Sequence, residues 1–379
     1  MQYRFLRISL ICVIFCSRVY AQSTPPGALA TWTLSATVAD ESVGQGLPVL
    51  ALDRPDWADH LSTHTTNARA FRAIKVELSA THPTGWRIAT LTRAEAWLHA
   101  NADAVTLAAL DAKGTNPDAV RSFSLNARSQ SWQGDGFMLG SPWWPLDSAG
   151  LWQWKTDVAW LQLKQFRAAE LAGDVYYRGG GKYDFDLHSQ SSNTGITSPF
   201  LPVSGISGTG ESLSLALQGQ LAPRWRVQLR ADDVVSRLQW LNMATDTNAL
   251  NSQVTSRAPD GSLDYAPLLK GKKTLRQLES QIGAYWQAQM AWTVNDSGVQ
   301  PSALILRTTS KADINQLWLG WDSGEGVRTT PHWRIEFEPS WQAVKLDLSW
   351  RGVQVVLTTD AKGLNTQCQQ VKISWVVAL

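Results

Sequence analysis

The sequence predicts an all-β protein, an antiparallel barrel of about 14–18 strands crossing a membrane, with a soluble β-sandwich or open sheet as the alternative. Three observations predict it. From Val371 to Leu379 the residues Val371, Ile373, Trp375, Val377 and Leu379 fall on one side of an extended chain, and Lys372, Ser374, Val376 and Ala378 on the other. That is the two-residue period of a strand with one apolar face. The same alternation recurs in about sixteen segments, many near the 9–11 residues with which a tilted strand crosses a bilayer. Tryptophan is the compositional outlier, with 20 residues against 7 Tyr and 9 Phe. An indole joins a large apolar body to a single donor and suits the boundary between hydrocarbon and water.

The chain opens with Arg4 and Arg7, an apolar run from Ile8 to Phe15, and Val19-Tyr20-Ala21. A basic start, a short apolar core and small residues at the cleavage site predict a secretory signal peptide over residues 1–21. The apolar run is shorter than the roughly 20 residues of a membrane-spanning helix. The whole chain carries a formal charge of +2 and this segment carries three arginines and no acid, so residues 22–379 carry −1. The basic balance belongs to the targeting segment, and nucleic-acid binding loses its compositional support. Cys12 and Cys16 leave with the signal and Cys368 stays alone. An exported chain without a disulfide must be held together in another way, and a closed sheet would do it.

Residues 22–379 read as one domain. After a lead-in from Gln22 to Ala28, Trp32, Leu34, Ala36 and Val38 make a first strand, and periodicity then lapses in a loop near 40–69. Ile74 to Ala80 and Trp86 to Thr92 form a hairpin about His82-Pro83-Thr84-Gly85, with Lys75, Glu77, Arg87 and Arg93 on the opposite face. Val105 and Leu107, then Phe123, Leu125 and Ala127, predict two more strands. Pro142-Trp143-Trp144-Pro145 cannot sit in a central strand, because proline lacks the ladder donor. Trp152, Trp154 and Val158 mark one strand; Leu171, Val175 and Tyr177 another; Gly179 to Lys182 turn the chain into Tyr183, Phe185 and Leu187.

Beyond a loop near 189–210, Leu213 to Leu221 and Trp225 to Leu229 alternate about the minimal connection Ala222-Pro223, followed by a loop near 242–273. Thr274 to Trp286 fits both templates, a helical turn first and a strand from about Ser280. Trp333 to Phe337, Val344 to Trp350 and Val353 to Leu357 complete the series.

With its alternating apolar terminal strand, this chain resembles the bacterial outer-membrane β-barrels, although Leu379 stands where those proteins usually end in Phe or Trp. The resemblance implies an outer-membrane location, lipid as a partner, and recognition of the strand 371–379 by the barrel-assembly machinery. In such a barrel the apolar face meets lipid and the polar face lines the lumen. Candidate pore-lining residues are Arg224, Arg226, Arg230, Asp184, Asp186, Glu336, Glu338 and Asp347, and candidate interface aromatics are Trp143, Trp144, Trp225, Trp286, Trp292 and Trp375. Rows of lumenal charge select ions and polar solutes, so the expected function is a porin-like channel for small polar or anionic solutes. The competing reading is a periplasmic β-rich binding or scaffold protein whose indoles meet glycan or lipid. No enzyme, cofactor or metal site is expected: no nucleophile elbow is present, a lone mature cysteine excludes a thiolate zinc site, and the six histidines show no ligand pair on a helix.

Overall fold

The computed structural model describes residues 31–49, 51–52, 54–61, 67–195, 207–252, 255–257, 263–265, 268–294, 302–324, 331–360 and 362–378. Residues 1–30, within which the signal peptide is expected, and Leu379 lie outside them. Among the described residues nineteen strands are formed: β1 Thr33–Gln45, β2 Asn67–Thr81, β3 Arg87–Asn101, β4 Arg121–Gly140, β5 Trp144–Pro145, β6 Trp152–Gly179, β7 Lys182–Asn193, β8 Ser207–Ala222, β9 Trp225–Asn251, β10 Thr255–Arg257, β11 Leu263–Tyr265, β12 Leu269–Ser280, β13 Tyr285–Thr293, β14 Ala303–Lys311, β15 Ile314–Asp322, β16 His332–Glu338, β17 Ala343–Trp350, β18 Val353–Thr359 and β19 Cys368–Ala378. All but β10 and β11 join one antiparallel sheet, and β1 pairs with both β2 and β19. The sheet therefore closes as a 14-strand barrel. Within it β7 and β8 share one wall position between β6 and β9, and β12 and β13 share the next, between β9 and β14. Closure pairs the strands of the near half on both sides, the condition for crossing lipid, whereas β12 in the raised part pairs with β9 alone among the described residues.

The faces are inverted relative to a soluble protein. Leu78 is 62% exposed while its inward neighbour Glu77 is 8% exposed, and Ile335 is 44% exposed beside Glu336 at 1%. This inversion excludes the sandwich, whose apolar faces would be the hidden ones. The first and last described strands place Thr33 and Ala378 opposite each other at one end of the barrel, the near end. Outward indoles gather there. Trp86 packs edge-on to Trp144 and Trp144 to Trp154, Trp225 stacks on Trp292, and Trp333, Trp350 and Trp375 stand exposed at the near-end tips of their strands. Trp152 belongs to the same belt, and only a glycine fits opposite it, since a Cβ on Gly219 would collide with its ring. An interfacial girdle accounts for the tryptophan content better than core filling does.

The wall is uneven in height. Strands β14–β18 have seven to nine residues, whereas β6 has 28 and β9 has 27. At about 3.3 Å per residue, β6 is on the order of 90 Å long, so its far half rises beyond the lipid. Several sequence expectations fail in this raised part. The two segments about Trp154 and Val175 are one strand, β6, whose near half pairs with β8 and far half with β7. The loops near 40–69, 189–210 and 242–273 are shorter than expected, because β1 runs on to Gln45, β7 to Asn193 and β9 to Asn251. Thr274 lies in strand β12 rather than a helical turn.

Val105 and Leu107 belong to a helix, α1 (Ala102–Lys113), not to a strand. Asn101 caps it by accepting from the Ala104 N–H, and Gly114 closes it in the left-handed region. Leu107 and Leu110 pack on Phe123, Val175 and Tyr177 at the far end.

Candidate functional site: the lumen

Three layers fill the interior. The near-end layer is a polar vestibule. Arg226 and Arg230 alternate along β9 on its inward face, and Arg230 lies in register with Ala216 of β8 and Gln287 of β13. Half of its side chain, 51%, is accessible although it points into the barrel, so it faces open lumenal space. Asp232 holds it through Nε at 2.9 Å. Its charge reaches Lys155 on β6, Glu77 on β2 and Lys372 on β19, which places these four walls within electrostatic range of one another. Asp347 receives two bonds from the Gln354 amide, at 2.9 and 3.0 Å. Arg224 sits at the near-end mouth, in the turn between β8 and β9.

The middle layer is a knot of buried charge. Arg93 of β3 donates to Glu95 of its own strand and, through Nη1 at 2.8 Å, to Asp233 of β9. Lys311 of β14 reaches across to Glu95 at 3.3 Å and lies 4.9 Å from the Phe71 ring of β2. Side chains from β3, β9 and β14, which are far apart around the wall, thus meet at the axis. A second buried pair, Arg307 to Glu336 at 2.6 Å, stands between β14 and β16, with Trp318 beside the guanidinium. Among the described residues the Arg307 Nε has no hydrogen-bond partner. It borders a cavity of about 20 Å³ together with Glu41, Tyr285, Gln316 and Lys345, room for about one water.

The far layer is apolar. Trp240, Leu238 and Met243 are fully buried among Leu163, Phe166, Trp132 and Ile282, and Phe71 packs across the barrel on Ile314 and Trp318. In its raised half the barrel is filled like a soluble β core.

The residues singled out by sequence are divided among these layers. Arg226, Arg230 and Asp347 face the vestibule. Glu336 is in the buried middle layer, and Glu338, equally buried, accepts from the Trp341 N–H at 2.6 Å. Asp184 and Asp186 are elsewhere: they lie on β7 in the far-end hairpin, where Asp184 pairs with Arg178. Trp143 turns inward, 5.1 Å from the Lys155 ammonium. Trp144, Trp225, Trp286, Trp292 and Trp375 point outward. Sequence reasoning missed Glu95, Asp233, Lys311, Arg307, Lys155 and Lys372. Their signal was present as single charges alternating with apolar residues, a pattern shared with every solvated strand face.

His332 Nε2 lies 2.7 Å from Asp322 and its Nδ1 3.2 Å from the Ser349 hydroxyl. Arg334 also holds Asp322, and Ser349 lies in a strand paired on both sides, which commits its amide to the ladder. The trio is a cross-strand brace at the near-end mouth. No cluster of metal-ligating side chains occurs among the described residues.

A closed sheet, lipid-facing leucines and indoles, and charges turned inward leave one assignment. The protein is an outer-membrane β-barrel. No protein-family model and no curated protein matches its sequence. Among solved structures it is similar to a deltaS2S3 mutant of TodX, a monoaromatic hydrocarbon channel, with 9% identity over 93% of this chain and 90% of that one and a TM-score of 0.41. It is also similar to the toluene transporter TodX of Pseudomonas putida, with 10% identity over 93% and 89% and a TM-score of 0.32. A third likeness is to the ferric-catecholate import receptor Fiu of E. coli K12, with 9% identity over 92% and 66% and a TM-score of 0.26. What enters this lumen is a matter for its own side chains.

Proposed function

We propose that this barrel passes small polar or anionic solutes across the outer membrane and rests in a closed state. The observation that carries the reading is the vestibule. Arg226, Arg230, Lys155 and Lys372 line water-accessible space inside a lipid-facing wall, and charge fixed around a pore selects what enters it. The knot of Arg93, Glu95, Asp233 and Lys311 closes the path at mid-height. Passage therefore requires these pairs to part, at a cost that keeps the open state rare. The reading includes export by the signal segment 1–21 and assembly through strand 371–379.

The filled middle and far layers favour one other reading, a barrel that conducts nothing and serves as a membrane scaffold. Planar-bilayer recording separates the two. The transport reading expects infrequent openings in the wild type and frequent ones when Asp233→Asn loosens the knot. A silent Asp233→Asn barrel, folded and inserted, would leave the scaffold.

A further inference from the structure

We infer that the vestibule holds one small oxyanion, of the phosphate or carboxylate type, in a gap over Ala216 between Lys155 and Arg230. The inference rests on the transport reading for its biological sense and on the wall register for its chemistry. Lys155, Ala216 and Arg230 are partners in a single row across β6, β8 and β9. Adjacent strands lie about 4.8 Å apart, so the two cations rise from backbone positions roughly 10 Å apart. Only a methyl group stands between them. Two long cationic side chains flanking a short one leave a notch in the lumenal wall whose floor, Ala216, is 9% exposed beneath them, and an oxyanion drawn between the two cations would meet both.

The rows above and below supply neutral polar groups. Toward the near end, Gln153, Gln218, Gln228 and Gln289 occupy successive strands in one row, and Gln218 already donates to Gln153 at 3.2 Å. Toward the knot, the Ser214 oxygen accepts from the Asp233 N–H at 3.1 Å, leaving its hydroxyl proton to donate. The acids of that level are already engaged: Asp157 is 3.2 Å from Arg87, and Asp232 holds Arg230. Lys372 approaches from the opposite wall within range of Arg230. A carboxylate or phosphate in the notch would thus meet charge-assisted donors on two sides and amides on a third, the donor set that binds oxyanions strongly. A cation would meet the Lys155 ammonium and the Arg230 guanidinium, with the carboxylates Asp157 and Asp232 already paired.

The test uses the folded full-length barrel in detergent, with folding verified by heat-modifiable migration, and inorganic phosphate as the probe in low salt. Titration calorimetry should show one phosphate per chain. Ala216→Leu fills the notch without changing any charge and should weaken binding at least tenfold. Arg230→Gln should do the same, and Lys272→Gln, in the far-end part of the wall, should leave it unchanged. Binding by Ala216→Leu equal to that of the wild type overturns the inference, as does an equal loss in Lys272→Gln, which would mean diffuse attraction. Absence of phosphate binding in the wild type overturns it too. Binding with this variant pattern in a barrel that never conducts would uphold the site and remove the transport reading; conductance without phosphate binding would do the reverse.

Discussion

Asp233 is the residue on which the closed lumen can be tested most directly. Its backbone is left-handed, with φ 57°, a conformation that asparagine tolerates nearly as well as aspartate. Asp233→Asn therefore removes one charge with little change in shape or backbone strain. The side chain of Asp233 is 1% exposed and that of Arg93 is 15% exposed, so water cannot replace the lost partner. A unit-charge pair at contact in protein surroundings is worth about 4 kcal/mol at an effective dielectric near 20. The asparagine oxygen recovers about 1 kcal/mol as a neutral hydrogen bond. The expected net loss is about 2–4 kcal/mol, close to what removal of one member of a buried pair costs. Glu95 stays paired with Lys311, which keeps the rest of the knot in place.

Urea unfolding of the barrel in lipid vesicles, followed by tryptophan fluorescence, measures the loss. Adding Arg93→Met to Asp233→Asn deletes both charges and should return most of the stability, because an apolar replacement of a buried pair is often neutral. Stability of Asp233→Asn within about 0.5 kcal/mol of the wild type, the usual range for surface changes, would refute the claim that a buried ion knot spans this lumen.

Other perturbations follow from the same structure. Ile373, outward and 47% exposed in the apolar band of β19, should cost about 2–4 kcal/mol as Ile373→Arg in vesicle refolding, whereas a solvated sheet face would accept the change. Trp240→Ala in the far layer should cost about 3–5 kcal/mol, and a loss below 1 kcal/mol would show that this half of the barrel is not packed. A Cβ on Gly136 would collide with the Trp160 carbonyl across the β4–β6 ladder, while one on Gly283 meets nothing within 4 Å. Gly136→Ala should therefore lower the temperature of heat-modifiable migration, and Gly283→Ala should leave it unchanged.

The sequence revealed the barrel where the membrane makes the two faces of a strand different, and lost it where the membrane stops. In β19, β18 and β17 outward positions meet acyl chains and inward positions meet the lumen, so Ile373 and Lys372, or Leu348 and Asp347, alternate, with Val356 and Val376 as apolar exceptions on the inward face. Beyond the lipid that contrast disappears. The far half of β9 carries Thr245, Asp246, Thr247 and Asn248 in succession, and β7 carries His188, Ser189, Gln190 and Ser191. Polar residues on both faces read as loop, although hydrogen bonding in the ladder continues through them. The helix α1 was hidden for a related reason. Its capping residues Asn101 and Gly114 are recognisable, but Val105 and Leu107 taken alone give the spacing of a strand.

The candidate site divides along the same physical line. Alternation puts Arg226, Arg230, Glu336 and Asp347 on a lumenal face, and it does so within single strands. Which of those charges meet depends on how strands distant in sequence stand across the barrel, as with Lys311 and Glu95 or Arg93 and Asp233. That arrangement follows from strand number, stagger and tilt together, none of which a local pattern of residues contains. The notch over Ala216 is the intermediate case. Lys155, Ala216 and Arg230 become one row only through the register of β6, β8 and β9. On the β8–β9 side that register follows from the short connection after Ala222 together with a shift between Gln220 and Ala222, without which Ala216 would face Ala231, and on the β6–β8 side from pairing between strands separated by the whole of β7. A short turn makes β8 and β9 neighbours in the sequence itself, but the shift at Gln220 that sets Arg230 opposite Ala216 and the β6–β8 pairing that brings in Lys155 belong to the assembled wall.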